Sequence, residues 1–197
     1  MQSSATNMIR YGYLWPGTRA LGPGYRFAIW LQGCNRRCYR CTSPDLQAVD
    51  GGQVADVDEL VEQIVSDETI DGITVSGGEP LLQATAVGCL LQEVKLRKPS
   101  LNVILFTGYL LEDLHSEETR KVLSCVDLLI DGEYIDSLND NQGLRGSSNQ
   151  RLHFLTSVLL PWRNELLHGS RRRELHMIGE HEMLTIGIAP RRVAENN

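Results

Sequence analysis

The chain has 197 residues and a formal net charge of -6. At about 150 residues per domain, that length favours a single domain. Apolar residues make up 42 % and charged residues 22 %, which supplies a real core and excludes wholesale disorder. The acidic balance, with a pI near 5.4, argues against a general nucleic-acid binder. No apolar run approaches the roughly 18 residues of a membrane span. The stretch from Met1 to Tyr13 does not read as a signal peptide. A cytoplasmic location is therefore expected, and no membrane or nucleic-acid partner. In a reducing compartment the five cysteines count first as metal ligands, reactive thiols or core residues.

In chain order, Arg26 to Gly33 reads as a buried strand that runs straight into a cysteine-rich loop. Asp56 is a candidate helix cap, and Val57, Leu60, Val61, Ile64 and Val65 follow at helical spacing. A second strand, Gly72 to Ser76, ends in Gly77-Gly78-Glu79-Pro80. Leu81 to Lys98 reads as a helix stopped by Pro99. Leu101 to Thr107 is a third strand, and Glu112 to Ser124 holds one broken helix or two short ones. Val126 to Ile130 is a fourth strand, closed by Asp131-Gly132. The polar segment from Glu133 to Gln150 reads as a functional or mobile loop, and Arg151 to Val158 as another strand. Glu174 to Ile178 and Met183 to Ile188 flank Gly179-Glu180-His181-Glu182 and predict a β-hairpin.

Continuous apolar strands alternating with helices predict a parallel sheet covered by helices. Functional groups in such sheets collect at the carboxyl ends of the strands. The cysteine loop, the Gly-Gly-Glu-Pro turn, Thr107-Gly108 and Asp131 all fall there.

Three of the cysteines form Cys34-x3-Cys38-x2-Cys41. Structural zinc asks for four closed ligands, and no fourth Cys or His lies nearby. Three thiolates on a 4Fe-4S cube leave one iron open to an outside ligand. A zinc loop completed from elsewhere in the chain is the alternative.

Cys-x3-Cys-x2-Cys after a first strand resembles the signature of the radical S-adenosylmethionine superfamily. Gly77-Gly78-Glu79-Pro80 after the second strand is similar to that superfamily's cofactor turn. Leu21-Gly22-Pro23-Gly24-Tyr25-Arg26 and Phe106-Thr107-Gly108-Tyr109 resemble segments of glycyl-radical-enzyme activases. Val126 to Gly132 with Leu144-Arg145-Gly146-Ser147-Ser148-Asn149-Gln150-Arg151 resembles the activating proteins of anaerobic ribonucleoside-triphosphate reductases.

The resemblance implies an incomplete (β/α) barrel of the radical S-adenosylmethionine type with a C-terminal β-hairpin. The whole chain, 1–197, would be one domain, with a core over about 20–156 and the hairpin over about 173–189. It implies a 4Fe-4S cluster on Cys34, Cys38 and Cys41. S-adenosylmethionine would be held by Ser76, Gly77, Gly78 and Glu79, backbone near Arg40, and Asp131. The reaction implied is cleavage of S-adenosylmethionine to a 5'-deoxyadenosyl radical, which takes hydrogen from a glycine of a partner glycyl-radical enzyme. An anaerobic ribonucleotide reductase is the expected partner.

The chain departs from the activase pattern at Arg40, at Thr42-Ser43-Pro44 and at Glu133. A stand-alone radical enzyme acting on a peptide or small molecule therefore stays an alternative, as does a non-enzymatic iron-sulfur or zinc module. Arg36, Arg37 and Arg40 suggest a docking patch for an acidic electron donor such as flavodoxin. The segment 136–150 is a candidate gate. Cys89 and Cys125 are expected in the core, Met177 and Met183 are expected to pack, and Arg171-Arg172-Arg173 is expected to form a solvated edge.

Overall fold

The structure is a computed structural model that describes residues 7–178 and 182–190. The first six residues, the last seven, and Gly179, Glu180 and His181 of the expected hairpin turn lie outside the described residues.

Four strands run parallel: β2 (Arg26–Leu31), β4 (Gly72–Gly77), β5 (Asn102–Phe106) and β6 (Leu128–Asp131). Helices α1 (Val57–Ser66), α2 (Ala84–Arg97) and α3 (Glu117–Leu123) make the crossovers. The sheet grows antiparallel at both edges, through β1 (Met8–Thr18) and β3 (Gln53–Asp56) on one side and β7 (Arg151–Phe154) on the other. The resulting order of seven strands is β3-β1-β2-β4-β5-β6-β7. A short helix, α4 (Arg163–His168), and an antiparallel pair, β8 (Glu174–Met177) with β9 (Met183–Ile186), complete the fold.

Side-chain alternation along the parallel strands sorts residues onto two faces. Phe27, Ile29, Leu31, Ile73, Val75, Val103, Leu105 and Leu129 meet the helices in the larger core. The opposite face carries Ala28 and Trp30, Thr74 and Ser76, Ile104 and Phe106, Leu128 and Ile130. Part of that inner face is covered by the β8–β9 pair, where Ile186 and Leu184 pack on Ala28, Trp15 and Trp30. Another part is covered by Leu144, Leu159 and Leu166.

The helix caps follow their residue types. Asp56 accepts from the Asp58 amide at 2.8 Å, and Ser116 from the Thr119 amide at 3.1 Å. Arg26 lies fully buried across the amino ends of β2, β4 and β5. Its guanidinium donates to Thr74 Oγ1 at 2.7 Å, Asn102 Oδ1 at 2.6 Å, the Ile73 carbonyl at 2.6 Å and the Pro23 carbonyl at 3.0 Å. Burial lowers its pKa to about 9, against partial support from Asp127 and Asp71.

The structure corrects three expectations. Cys89 is exposed, whereas Cys125 is buried. On α2, Thr85, Cys89, Gln92, Glu93 and Leu96 share the solvent face at helical spacing. Met177 and Met183 are exposed rather than packed. Arg171 belongs to no solvated edge; its side chain is largely covered and donates to Asn139 Oδ1 at 2.8 Å and to the Ala189 carbonyl at 3.2 Å. The polar segment 133–150, expected to be functional or mobile, makes the hydrogen bonds described below and walls part of the cavity. No helix among the described residues is long and apolar enough to cross a membrane.

Candidate active site

The cysteine loop leaves β2 and returns on itself. Gln32 fixes its ends, donating to the Ala48 carbonyl at 2.7 Å and the Asp45 carbonyl at 3.2 Å. The Gly33 and Cys34 amides donate to the carbonyls of Leu46 and Gln47 at 2.9 and 3.1 Å. Between the second and third cysteines the chain makes a tight turn. The Cys41 amide donates to the Cys38 carbonyl at 3.2 Å, and Arg40 takes a positive φ of 54°. A non-glycine residue in that region marks a constrained loop. The turn brings Cys38 and Cys41 back to one wall with Cys34.

All three cysteines are free thiols and line one cavity of about 310 Å³. Among the described residues, no three His, Cys, Asp or Glu side chains cluster tightly enough for a single metal ion. A cube instead takes each thiolate on a separate iron. Burial, with the Glu133 carboxylate nearby, pushes the Cys38 thiol up to about 11. Burial also raises Cys34, against a partly compensating bond from the Arg36 amide. Without a cation these two thiols are protonated at neutral pH; bound iron is what makes them thiolates. The donor set fits a three-thiolate cluster.

The second wall is the turn after β4. Gly77 has φ 114°, and a Cβ there would stand 2.3 Å from the Leu31 amide nitrogen. At Gly78 a Cβ would stand 2.2 Å from the Gly33 carbonyl oxygen. The turn therefore lies directly on the start of the cysteine loop. The Gly78 amide donates to the Leu31 carbonyl and the Glu79 amide to the Gly33 carbonyl, both at 2.8 Å. Glu79 is buried, and its carboxylate accepts from the Leu81 amide at 3.0 Å, Thr107 Oγ1 at 2.8 Å and the Gly108 amide at 2.8 Å. It thereby joins the ends of β4 and β5. Burial raises its pKa, opposed by those three donors.

The remaining walls come from the polar segment after β6 and from the C-terminal hairpin. Tyr134, Gly146 and Gln150 line one side. Gln150 holds that side together: its Oε1 accepts from the Gly146 amide at 2.7 Å, and its Nε2 donates to the Gly132 carbonyl at 2.7 Å. Asn149 donates to the Glu133 carbonyl at 2.8 Å, and Ser147 accepts from the Ile135 amide at 3.1 Å. Arg171 bridges this segment to Ala189. The Arg-Gly-Ser-Ser-Asn-Gln run is thus a knot that shapes a wall. Arg173, Thr185, Gly187, Ile188 and Ala189 form the opposite rim, so the hairpin borders the cavity.

Of the residues singled out in the sequence, Cys34, Cys38, Cys41, Ser76, Gly77, Gly78 and Glu79 meet at this cavity. Arg40 does not line it; its guanidinium pairs with Asp136 at 3.4 Å. Asp131, expected at the cofactor, is not among the residues that line the cavity. It is fully buried and bidentate with Arg151, and it accepts from the Leu111 amide at 2.8 Å. Burial opposes its ionisation, but Arg151, Leu111 and His153 outweigh that and hold its pKa down. Arg36 leaves the expected surface patch. It turns inward over the Tyr109 ring at 4.7 Å, 3.9 Å from Glu133, and lines the cavity. Its Nε is buried with no hydrogen-bond partner among the described residues.

Three thiols and a glycine turn at the open ends of parallel strands define an enzyme of the radical S-adenosylmethionine class. Residues 20–153 match the family model described as a 4Fe-4S single cluster domain. The chain is 32 % identical over 148 residues to the anaerobic ribonucleoside-triphosphate reductase-activating protein of Enterobacteria phage T4. That match spans 73 % of this chain and 93 % of the relative. It is 40 % identical over 80 residues to the pyruvate formate-lyase-activating enzyme of Staphylococcus aureus, spanning 38 % of this chain and 32 % of that enzyme. A solved structure, QueE from Escherichia coli, is similar with a TM-score of 0.38 and 16 % identity, over 54 % of this chain and 57 % of that one. The chain belongs to the 4Fe-4S single cluster domain family, as a radical S-adenosylmethionine activase. Its cofactors are a 4Fe-4S cluster and S-adenosylmethionine.

Proposed function

We propose that this protein activates an anaerobic ribonucleotide reductase by generating its glycyl radical. The observation that carries the reading is the meeting of Cys34, Cys38, Cys41 and the Gly77-Gly78-Glu79 turn in one cavity. Supporting it, 32 % identity runs through 93 % of a relative named for that activity. When bound and reduced, the cluster and S-adenosylmethionine supply a 5'-deoxyadenosyl radical that takes a hydrogen atom from a backbone glycine.

The residues then divide the work. Cys34, Cys38 and Cys41 hold the cluster. Ser76, Gly77 and Gly78 offer backbone and a small side chain to the methionine end, since residues without bulk allow close approach. Glu79 has its carboxylate engaged by Leu81, Thr107 and Gly108, so its contribution is to hold the turn in place. Arg40 serves through the shape of the turn between Cys38 and Cys41. Arg36 presents a donor to the cofactor's carboxylate. Trp30, Leu21 and Phe106 line the inner wall and keep water from a radical.

We read the open sheet as the wall of an incomplete (β/α) barrel, and residues 1–197 as one domain acting in the cytoplasm. Arg37 and Arg40, exposed beside the cluster loop, are proposed to receive an acidic donor such as flavodoxin. The test is anaerobic reconstitution with iron and sulfide, followed by reduction with S-adenosylmethionine and the reductase. The expected products are 5'-deoxyadenosine and a glycyl radical seen by electron paramagnetic resonance. A cluster-loaded protein that yields the nucleoside but no radical on the reductase would overturn the assignment of the partner.

A further inference from the structure

The β8–β9 hairpin has two unlike faces. Its register pairs Glu174 with Ile186, Leu175 with Thr185, His176 with Leu184, and Met177 with Met183. Directly paired residues share a face. The inner face is spent on the body of the protein. Ile186 is buried, the His176 ring stands 4.4 Å from that of Trp15, and Glu174 accepts from Thr18 Oγ1 and the Arg19 amide, both at 2.7 Å. The outer face leaves Leu175, Met177 and Met183 at 66, 67 and 59 % exposure.

A single exposed apolar side chain needs no explanation. A stripe of them on an element so firmly anchored does. The outer face is also continuous with the cavity. Thr185, opposite Leu175 on that face, lines the cavity, and the chain after β9 builds its rim through Gly187, Ile188 and Ala189. A macromolecule that inserts a loop into the cavity from this side must lie across the stripe. Methionine suits such a surface, because its flexible thioether adapts to a partner's contour. The hairpin also follows the matched family region, which ends at residue 153.

We infer that the outer face of β8–β9, through Leu175, Met177 and Met183, is the surface on which the protein substrate docks while its glycine-bearing loop occupies the cavity. The inference rests on the proposed function and adds the surface that selects the partner. The occupant is the glycyl-radical enzyme, with an apolar patch flanking the loop that bears its glycine.

The experiment uses the cluster-loaded protein and the anaerobic ribonucleotide reductase of the same organism. A triple variant, Leu175→Ser, Met177→Ser and Met183→Ser, replaces no residue that lines the cavity. Its 5'-deoxyadenosine formation without the reductase is expected to stay within about twofold of the parent. Its KM for the reductase is expected to rise about tenfold or more, as loss of a docking hot spot requires. In the parent, hydroxyl-radical oxidation of Met177 and Met183 is expected to slow about threefold or more when the reductase is added, on the scale of an occupied interface. If the parent makes the glycyl radical but the triple variant's KM is unchanged, the docking surface is wrong and the function stands. If the parent makes no radical on the reductase, both fall. A parent that sediments as a dimer beside a monomeric triple variant would assign the stripe to a second copy of the chain and overturn the inference.

Discussion

Replacing Gly78 by alanine tests the close contact on which the site is built. The added Cβ would stand 2.2 Å from the Gly33 oxygen, 2.7 Å from the Gly33 carbonyl carbon and 2.7 Å from the Leu46 oxygen. All three are backbone atoms, so no side chain can swing aside. Relief to a contact of about 3.5 Å needs a retreat of about 1.3 Å. That retreat carries the 2.8 Å bonds from the Gly78 and Glu79 amides out of hydrogen-bond range. Two lost bonds at about 1 kcal/mol each, with overpacking of about 1–3 kcal/mol, give a destabilisation of about 3–5 kcal/mol. For a chain of this size each kcal/mol moves Tm by about 2–4 °C, so the midpoint is expected to fall by about 10 °C. Gly88→Ala is the control. A Cβ there meets nothing nearer than 3.7 Å, in mid-helix, where alanine is expected to stabilise by about 0.5–1 kcal/mol. Calorimetry of both variants, with iron content after reconstitution, checks the pair. A Gly78→Ala protein that melts within 2 °C of the parent and takes up full iron refutes the contact argument.

Asp131→Asn is expected to leave the affinity for S-adenosylmethionine within about twofold while costing about 1–3 kcal/mol in urea, from unpaired buried groups. Because Arg151 and the Leu111 amide hold the Asp131 pKa below the ordinary aspartate value, its contribution is present above that ordinary value and is lost as pH falls through the folded pKa. The stability difference between parent and variant should therefore shrink at the acid end; a difference that grows there contradicts the sign. Cys38→Ser is expected to lose most of the bound iron, whereas Cys89→Ser, on the solvent face of α2, should match the parent in iron content. Arg37→Glu is expected to slow cluster reduction by flavodoxin but not by dithionite, followed by absorbance bleaching; equal slowing by both reagents counts against a docking role.

The parallel strands were legible because each is a dense apolar run, with a loop of distinctive residues at its carboxyl end. The cysteine spacing and the Gly-Gly-Glu-Pro turn stood out for the same reason: their chemistry is local in the chain. β1 was not read as a strand. Gly12, Pro16 and Gly17 interrupt it, and its pairing with β2 shifts register between Tyr11 and Tyr13 and again between Trp15 and Thr18. Pro16 falls within the second irregularity, where a missing N–H is tolerated. Asp131 stood out only by its place at a strand end, where a carboxylate faces either the site or its flank. Its partner Arg151 sits on the neighbouring antiparallel strand and gave no local signal. Arg36 and Arg171 were read as surface residues for a similar reason. Surface arginine is the usual reading, but each finds a ring or a set of carbonyls far along the chain. Gln32 carried no local signal, since its partners become neighbours only after the loop closes; Gln150 stood out only within its motif, not for the bonds it makes.

Arg26 has a consequence for the order of events. Its buried guanidinium ties together the amino ends of β2, β4 and β5 and seals the inner face at that end. Under the docking proposed above, the protein loop would enter past the hairpin rim and act as a stopper over whatever lies deeper. Small reactants would then load first and protein substrate second, and the spent fragments would depart only after the protein lets go. One turnover would be bound to one docking event, and a bound partner would shield the radical from premature quenching.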